Sequence, residues 1–530
     1  MKRTGLFAAL SILMTWPLAS HLATLAPQHQ DVYFNMWRLL WFAHALVTSP
    51  ANLFNANIFF PELRTLAYSD AMFVEGLLAA PFAWAGMRPV LLHNLMLLAG
   101  MTFSGVGMFA LARYLTGSRG AGVLAGIVFS YAPYRFDHLP HMELQWAMWT
   151  PLAFFSLHRA CDTGRMRWGL ALGACLSLQM LSSIYYGIFL VTCVAVAVPL
   201  LLPRDRSVPI GKVIKALAAA AVLSSVVCGL YAIPYLEARE RVGDRRGEEI
   251  VSYGASAKNY LSATTDNWLY GHTASRGRPE RHLFPGITPL LLALIGLLLR
   301  IPGRRPIAYL LLLVFAFEAS LGVRGYTYPL LLDYVPGYRG LRVSARLGLF
   351  VLAFLGILAG YGYQVLAATL SPRGRALLLS VCAAGLLIEY RVMPPLAEFP
   401  NAPPPIYRLL ARQPKGVVAE FPTSRLDQLP GPDPAYVHLS TFHWFPIVNG
   451  YSGMYPPSYF VRLDRLADFP RERGFAQLRL DNVRYVIVHG AAYAPAALVK
   501  LRVEIENSRL LVELGHFAAD GRDDYLYRMR

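Results

Sequence analysis

A single carboxylate, Asp31, stands in "LAPQHQDVYFNMWRLLWFAHAL", directly after an apolar run that begins at Gly5. A carboxylate at a membrane boundary is partly desolvated, which raises its pKa and its strength as a general base. Asp is equally suited to cap the helix that opens with "VYFNMW", and the two roles are compatible. Asp70, ahead of a second apolar stretch, offers the same two readings. Asp137, His138, His141 and Glu143 fall within seven residues of one another. Carboxylate and imidazole at that spacing suit a divalent cation such as Mg or Mn, or the orientation of a pyrophosphate; the alternative is a hydrated polar turn between two helices. In "YVPGYRGLRVSARLGLF", Arg339, Arg342 and Arg346 are spaced by three and four, so they share one face if the segment is helical. Guanidinium groups recognise phosphate in bidentate fashion. They also anchor to lipid headgroups.

These groups sit in a chain of 530 residues that is 55% hydrophobic and only 15% charged, where a soluble protein carries about 25% charge. Apolar runs near the length of a bilayer crossing recur through the first 390 residues. The expected fold is therefore a polytopic α-helical membrane protein with about 11 transmembrane helices. The spans are expected at 5–24, 93–112, 120–134, 145–160, 168–183, 186–202, 213–233, 284–299, 307–322, 345–364 and 374–390. Alternate junctions are short and basic: Lys2/Arg3, Arg113/Arg119, Arg159/Arg165/Arg167, Arg204/Arg206/Lys212/Lys215, Arg300/Arg304/Arg305 and Arg373/Arg375, interrupted only by Asp162 and Asp205. The positive-inside rule places these junctions and the N-terminus in the cytoplasm. The same rule, with anionic lipid as counter-charge, accounts for the formal charge of +17 without a nucleic-acid partner. Lys2 and Arg3 also fit a secretory signal, but no small-x-small cleavage site precedes Asp31, which favours a retained first span. The five cysteines lie in or at the end of apolar runs with no CxxC, so neither disulfides nor a thiolate metal site is expected.

The opposite junctions are longer: 25–92, 135–144, a turn near 182–185, 234–283 and 323–344. Residues 33–48 and 70–86 of the first are apolar and aromatic enough to form juxtamembrane helices at headgroup level. Glu248, Tyr253, Asp266 and Trp268 in the 234–283 loop are candidates for an acceptor groove, since aromatic faces stack on sugars. After the Pro-rich "RVMPPLAEFPNAPPP", residues 391–530 alternate strand-like runs ("GVVAEFP", "VRYVIVHG", "RLLVELGHF") with helical ones, reading as a small outer α/β domain. Its aromatic stretch "STFHWFPIVNGYSGMYPPSYF" reads as a surface that docks the tail.

One span, a large outer loop with an acid near its start and two surface helices, many further spans and an outer C-terminal domain: this layout resembles the GT-C membrane glycosyltransferases, which use polyprenyl-phosphate-linked sugars. The resemblance covers the architecture of residues 1–390. Its local carriers are Asp31 after the first span, "YSDAMFVEGLLAAPFAWAGMRPVLLHNLMLLAG" leading into the second, "LARYLTG" at its cytoplasmic end and "PYRFDHLPHMELQW" in the second outer loop. Asp31 departs from the family's paired acids, its neighbours being Gln30 and Val32. The resemblance implies a bacterial inner-membrane enzyme that moves a sugar from a polyprenyl-phosphate donor to a glycan or protein acceptor on the outer face, with inversion. It implies Asp31 as the base, Asp70 as a second catalytic carboxylate and the arginines as holders of the lipid phosphate. No GxGxxG, Walker loop, HExxH or GxSxG is present, which argues against nucleotide-driven and hydrolytic chemistry. A flippase of a lipid-linked glycan would show internal repeats and ionisable groups deep in its spans, and neither is evident; a non-catalytic assembly factor with the same fold is the remaining alternative.

Overall fold

The computed structural model describes residues 2–203, 208–245, 247–299, 303–519 and 521–530. Arg204, Asp205, Arg206 and Arg300, used above for sidedness, lie outside the described residues. The chain divides into two units: residues 1–22, 94–231 and 244–396 form one, and 23–93, 232–243 and 397–530 the other.

The first unit is helical because its sequence leaves little choice: long apolar runs can satisfy backbone groups in lipid only internally. Each of the eleven expected segments carries a helix. Four are long and apolar enough to cross a bilayer, namely Pro89–Thr116, Ile184–Leu201, Ile210–Val242 and Ser344–Ala368. The first segment departs most from expectation. Its helix is Lys2–Met14, and the chain then passes into turns around Pro17, which has no N–H to donate. The Gly348–Ala368 helix is buried on nearly every side, as a helix apolar all round must be. By contrast Ile210–Val242 exposes Val222, Val226 and Leu230 along one face, the pattern of a lipid-facing helix.

Two close approaches set the helix packing. At Gly362 a Cβ would stand 1.8 Å from the carbonyl oxygen of Leu292, and at Gly169 one would stand 1.9 Å from that of Ala216. Small residues at such crossings let backbones meet, the main way helices associate in lipid. The turn between the third and fourth expected spans is closed by a buried charge. Arg135 donates to the carbonyls of Leu144 at 2.6 Å and Gln145 at 3.0 Å, while the Gln145 amide returns bonds to the carbonyls of Arg135 and His138. That clasp fixes the backbone carrying Asp137, His138 and His141.

The second unit holds helices Gln30–Thr48 and Phe73–Trp84. The aromatic residues of the first pack inward: Trp37, Trp41 and Phe42 are buried in a core with Ile58, Phe59 and Tyr68, so they do not form the headgroup belt expected of them. Trp37 donates to Asn57 at 3.1 Å and Trp41 to the Leu53 carbonyl at 2.8 Å, satisfying both indole N–H groups. Phe82 and Trp84 of the second helix stay exposed. The tail contributes a four-stranded sheet in which Val417–Phe421 runs parallel to Val483–His489. The latter pairs antiparallel with Arg522–Met529, which pairs in turn with Leu511–Ala519. Helices Pro457–Leu466, Glu472–Leu480 and Pro495–Ser508 accompany it.

A charged clamp ties three of these strands. His489 Nδ1 meets Asp524 at 2.8 Å and Nε2 meets Glu420 at 3.0 Å, with the Tyr407 hydroxyl also donating to Glu420. Burial lowers the His489 pKa, but the two carboxylates outweigh it and push it up to about 9. The imidazolium is therefore retained at neutral pH.

Two outcomes follow from this packing. Gly362→Ala is expected to cost ~1–3 kcal/mol by overpacking, read as a lower melting temperature in detergent; Gly229→Ala, where a Cβ meets nothing within 4 Å, should not fall. For the clamp, a folded pKa of about 9 against about 6.5 unfolded means its stabilisation is complete below pH 6.5 and is lost as pH rises through 9. The melting-temperature gap between wild type and His489→Gln should be widest near pH 6 and narrow towards pH 10; a gap independent of pH contradicts the charged clamp.

Candidate functional site

The second unit builds one cluster around Asp31. His29 caps the Gln30–Thr48 helix, its Nδ1 accepting the Asp31 N–H at 3.1 Å, so Asp31 occupies the first turn and is not the cap. A ring nitrogen that accepts a hydrogen bond carries no proton. The 3.5 Å approach of His29 Nδ1 to Asp31 Oδ2 is accordingly not an ion pair. The helix N-terminus favours the negative charge of Asp31, and its side chain is 18% exposed, half-withdrawn from water yet reachable. The Tyr451 hydroxyl donates to Asp31 Oδ1. Burial, reinforced by the Asp31 charge, drives the Tyr451 phenol far above its ordinary pKa, so it remains a donor.

Further along the same helix, Arg38 donates to the Asp70 carbonyl at 2.5 Å and to Asn35 Oδ1, and lies over the Phe34 ring at 4.6 Å. Phe34 meets the Tyr451 ring edge-on at 5.3 Å. Asp70 is buried three residues ahead of the Phe73–Trp84 helix, whose cap is Met72 at φ 57°, so Asp70 does not cap it. Asp31 and Asp70 are thus linked through Arg38, Phe34 and Tyr451, with Asp70 joined by its backbone.

The first unit builds a second cluster from the loops that carry residues 137–143, 280–282 and 339–346. Here Asp137 organises: it accepts from the Glu280 N–H at 3.0 Å and meets His282 Nδ1 at 2.8 Å, fastening residues 280–282 beside His138. Glu280 has φ 72°, a left-handed conformation unusual for a side-chain-bearing residue. Its carboxylate takes Arg346 Nε at 3.0 Å and Nη2 at 2.5 Å, and stands 3.7 Å from His138 Nδ1. Burial raises the Glu280 pKa, but Arg346 and His138 more than reverse this and hold it well below the usual carboxylate range. Burial lowers His138 to about 4, so its imidazole is neutral. Among the described residues, both His138 ring nitrogens lack a hydrogen-bond partner although the residue is 1% exposed.

Donor atoms of His138, His141 and Glu280 all lie within 4.8 Å of one another. Two imidazoles and a carboxylate form a donor set that zinc and manganese both accept, and the orphaned His138 nitrogens fit that use. Glu143 is buried, within electrostatic reach of Arg346.

The three arginines do not share a helical face. Residues 338–340 and 344–347 form separate 3-10 turns, because Gly337 at φ 94° and the extended Leu341 interrupt any longer helix. Arg339 is exposed and bonds the Leu332 carbonyl. Arg342 lies over the Tyr253 ring at 5.1 Å, with its N–H on the Tyr185 hydroxyl, and its guanidinium makes no ion pair among the described residues. Arg346 lies over Tyr185 at 4.6 Å. Tyr253 of the acceptor-groove candidates thus joins the arginines. Trp268 stays 71% exposed, and Asp266 has its pKa raised by burial and by the Asp137 charge. Glu280 and Tyr451 had no distinguishing signal in the sequence: the first sits in the basic run "SRGRPERHLF", the second in an aromatic stretch.

No family model matches the chain, and no curated protein matches it. Among solved structures it is similar to ArnT from Cupriavidus metallidurans bound to undecaprenyl phosphate, with 12% identity and a TM-score of 0.50 over 98% of this chain and 97% of that one. The apo form of the same protein gives 0.49 at 12% identity and the same coverage. An archaeal oligosaccharyltransferase, AglB from Archaeoglobus fulgidus, solved with an inhibitory peptide and a dolichol-phosphate, gives 0.41 at 11% identity, over 99% of this chain and 74% of that one. Near-complete coverage of ArnT, together with the helical first unit described above, gives this membrane chain the GT-C fold, the architecture of glycosyltransferases that use polyprenyl-phosphate carriers.

Proposed function

We propose that the protein is a glycosyltransferase of the bacterial inner membrane that moves a sugar from a polyprenyl-phosphate donor to a glycan or protein acceptor on the outer face. The proposal includes eleven spans, a cytoplasmic N-terminus, a transmembrane domain over residues 1–390 and an outer α/β domain over 391–530. The observation that carries it is the Asp31 arrangement. In a GT-C fold, a carboxylate at the start of the first outer helix is accessible, held by a phenol donor, and set where its capping duty has passed to His29.

The chemistry is a single displacement. The acceptor hydroxyl oxygen attacks the anomeric carbon, and the bond from that carbon to the phosphate oxygen breaks with its electron pair leaving on the phosphate. Asp31 takes the hydroxyl proton, and the anomeric configuration inverts. Arg342 and Arg346 are the proposed holders of a lipid phosphate; Arg342, without a carboxylate partner among the described residues, is the one open to a new anion. Asp70 acts by anchoring Arg38 through its carbonyl. A divalent ion held by His138, His141 and Glu280 would supply further positive charge for a lipid phosphate. Asp137 positions that set through the Glu280 N–H and His282.

With protein reconstituted in the presence of undecaprenyl-phosphate sugars, Asp31→Asn is expected to lower kcat by at least ~100-fold, the scale of a lost general base. Arg342→Ala should raise the donor KM roughly tenfold or more, the scale of charge-assisted hydrogen bonds. Movement of intact lipid across vesicles with no cleavage would instead identify a flippase. For the cation, protein equilibrated with Mn(II) or Zn(II) and then desalted should retain about one ion per chain, and His138→Ala and Glu280→Gln should retain none; equal retention in all three removes the metal from the account.

A further inference from the structure

Resting on the reading of Asp31 as general base, we propose that Tyr451 is a positioning residue for Asp31, so that the C-terminal segment completes the transferase site. The contact joins residues 420 positions apart, and its donor comes from the aromatic stretch of the tail.

Tyr451 is held from three directions. Its ring meets the edge of Phe34, one turn after Asp31 on the same helix. The neighbouring Gly450 donates its N–H to the Tyr459 hydroxyl at 3.1 Å, and Tyr459 in turn donates to the buried Asp433 at 2.5 Å. Asn449 is saturated: its Oδ1 accepts the Glu420 N–H at 2.9 Å, while its Nδ2 donates to the Glu420 carbonyl at 3.1 Å and to Asp433 at 3.2 Å. The Asn449 carbonyl accepts the Phe59 N–H at 3.0 Å. Residues 449–451 are therefore braced both to the Val417–Phe421 strand and to the first outer loop. The backbone presenting Tyr451 is thus bonded through Asn449 and Gly450.

The phenol is a donor and not an acid–base group, because burial beside Asp31 keeps it protonated. By occupying Oδ1 it fixes the plane of the carboxylate. A hydrogen bond to the charged form favours that form, so Tyr451 also keeps Asp31 ionised and ready to act as a base.

The test uses full-length protein in detergent and needs no substrate. Carbodiimide labelling of Asp31, which follows the protonated carboxyl, is read by peptide mass spectrometry as a function of pH. In Tyr451→Phe, which keeps the ring against Phe34, the labelling midpoint should move up by about one pH unit, the direction expected when a donor to the carboxylate is lost. If that variant does not fold, a fluorinated tyrosine placed at 451 keeps the shape and strengthens the donor, and the midpoint should move down. A midpoint unchanged in the variant that folds overturns the proposal. Turnover separates this from the reading beneath it: Tyr451→Phe should lower kcat by roughly tenfold or more with the donor KM little changed, as expected when a base loses its aim. Activity persisting in Asp31→Asn removes the general base, and Tyr451's role with it. A silent Asp31→Asn beside a wild-type labelling profile in Tyr451→Phe removes Tyr451 alone.

Discussion

The pairing of Glu280 with Arg346 is the interaction on which the cluster around His138 depends. A carboxylate withdrawn from water is tolerated only when its charge is met in good geometry. Two guanidinium contacts do this here, just ahead of the buried Gly348–Ala368 helix. The consequences run outward. Glu280 is held at a left-handed backbone angle by Asp137, the same tether brings His282 in, and His138 is left neutral and unbonded beside an anion. Breaking the pair would strand either a buried anion or a buried cation. The position of the whole loop is thus an electrostatic matter more than one of shape.

The cluster around Asp31 obeys a different logic. Its carboxylate is partly exposed, its helix supplies a favourable dipole, and the Tyr451 donor arrives from far along the chain. The capping role that would have consumed it falls to a neutral histidine two residues earlier. The clusters also differ in what they offer a ligand. One presents a base with a fixed orientation, the other cations and imidazoles suited to a phosphate and its counter-ion.

How much of this was legible in the sequence depended on whether a signal was local. The apolar runs were, since a bilayer demands about 20 apolar residues in a row whatever the tertiary fold; the segment expected at 168–183 is the helix Met166–Ser182. Asp31, Asp137, His138 and His141 stood out because polar groups are scarce in such a chain. Trp37 and Trp41 misled, because an aromatic-rich helix has the same composition in a headgroup belt as in a core, and only the partners Asn57 and Leu53 distinguish the two. The arginine spacing misled for a local reason, the extended backbone at Leu341 between the two 3-10 turns, which ends any common helical face. Glu280 and Tyr451 were invisible because each acquires its meaning from a residue more than a hundred positions away.

The central question is whether the arginine-bearing loop receives a lipid phosphate. A structure of the protein with undecaprenyl phosphate tests this most directly. The account predicts phosphate oxygens within hydrogen-bonding distance of the Arg342 or Arg346 guanidinium. Phosphate density seated away from both arginines, with the Glu280–Arg346 pair undisturbed, would contradict it.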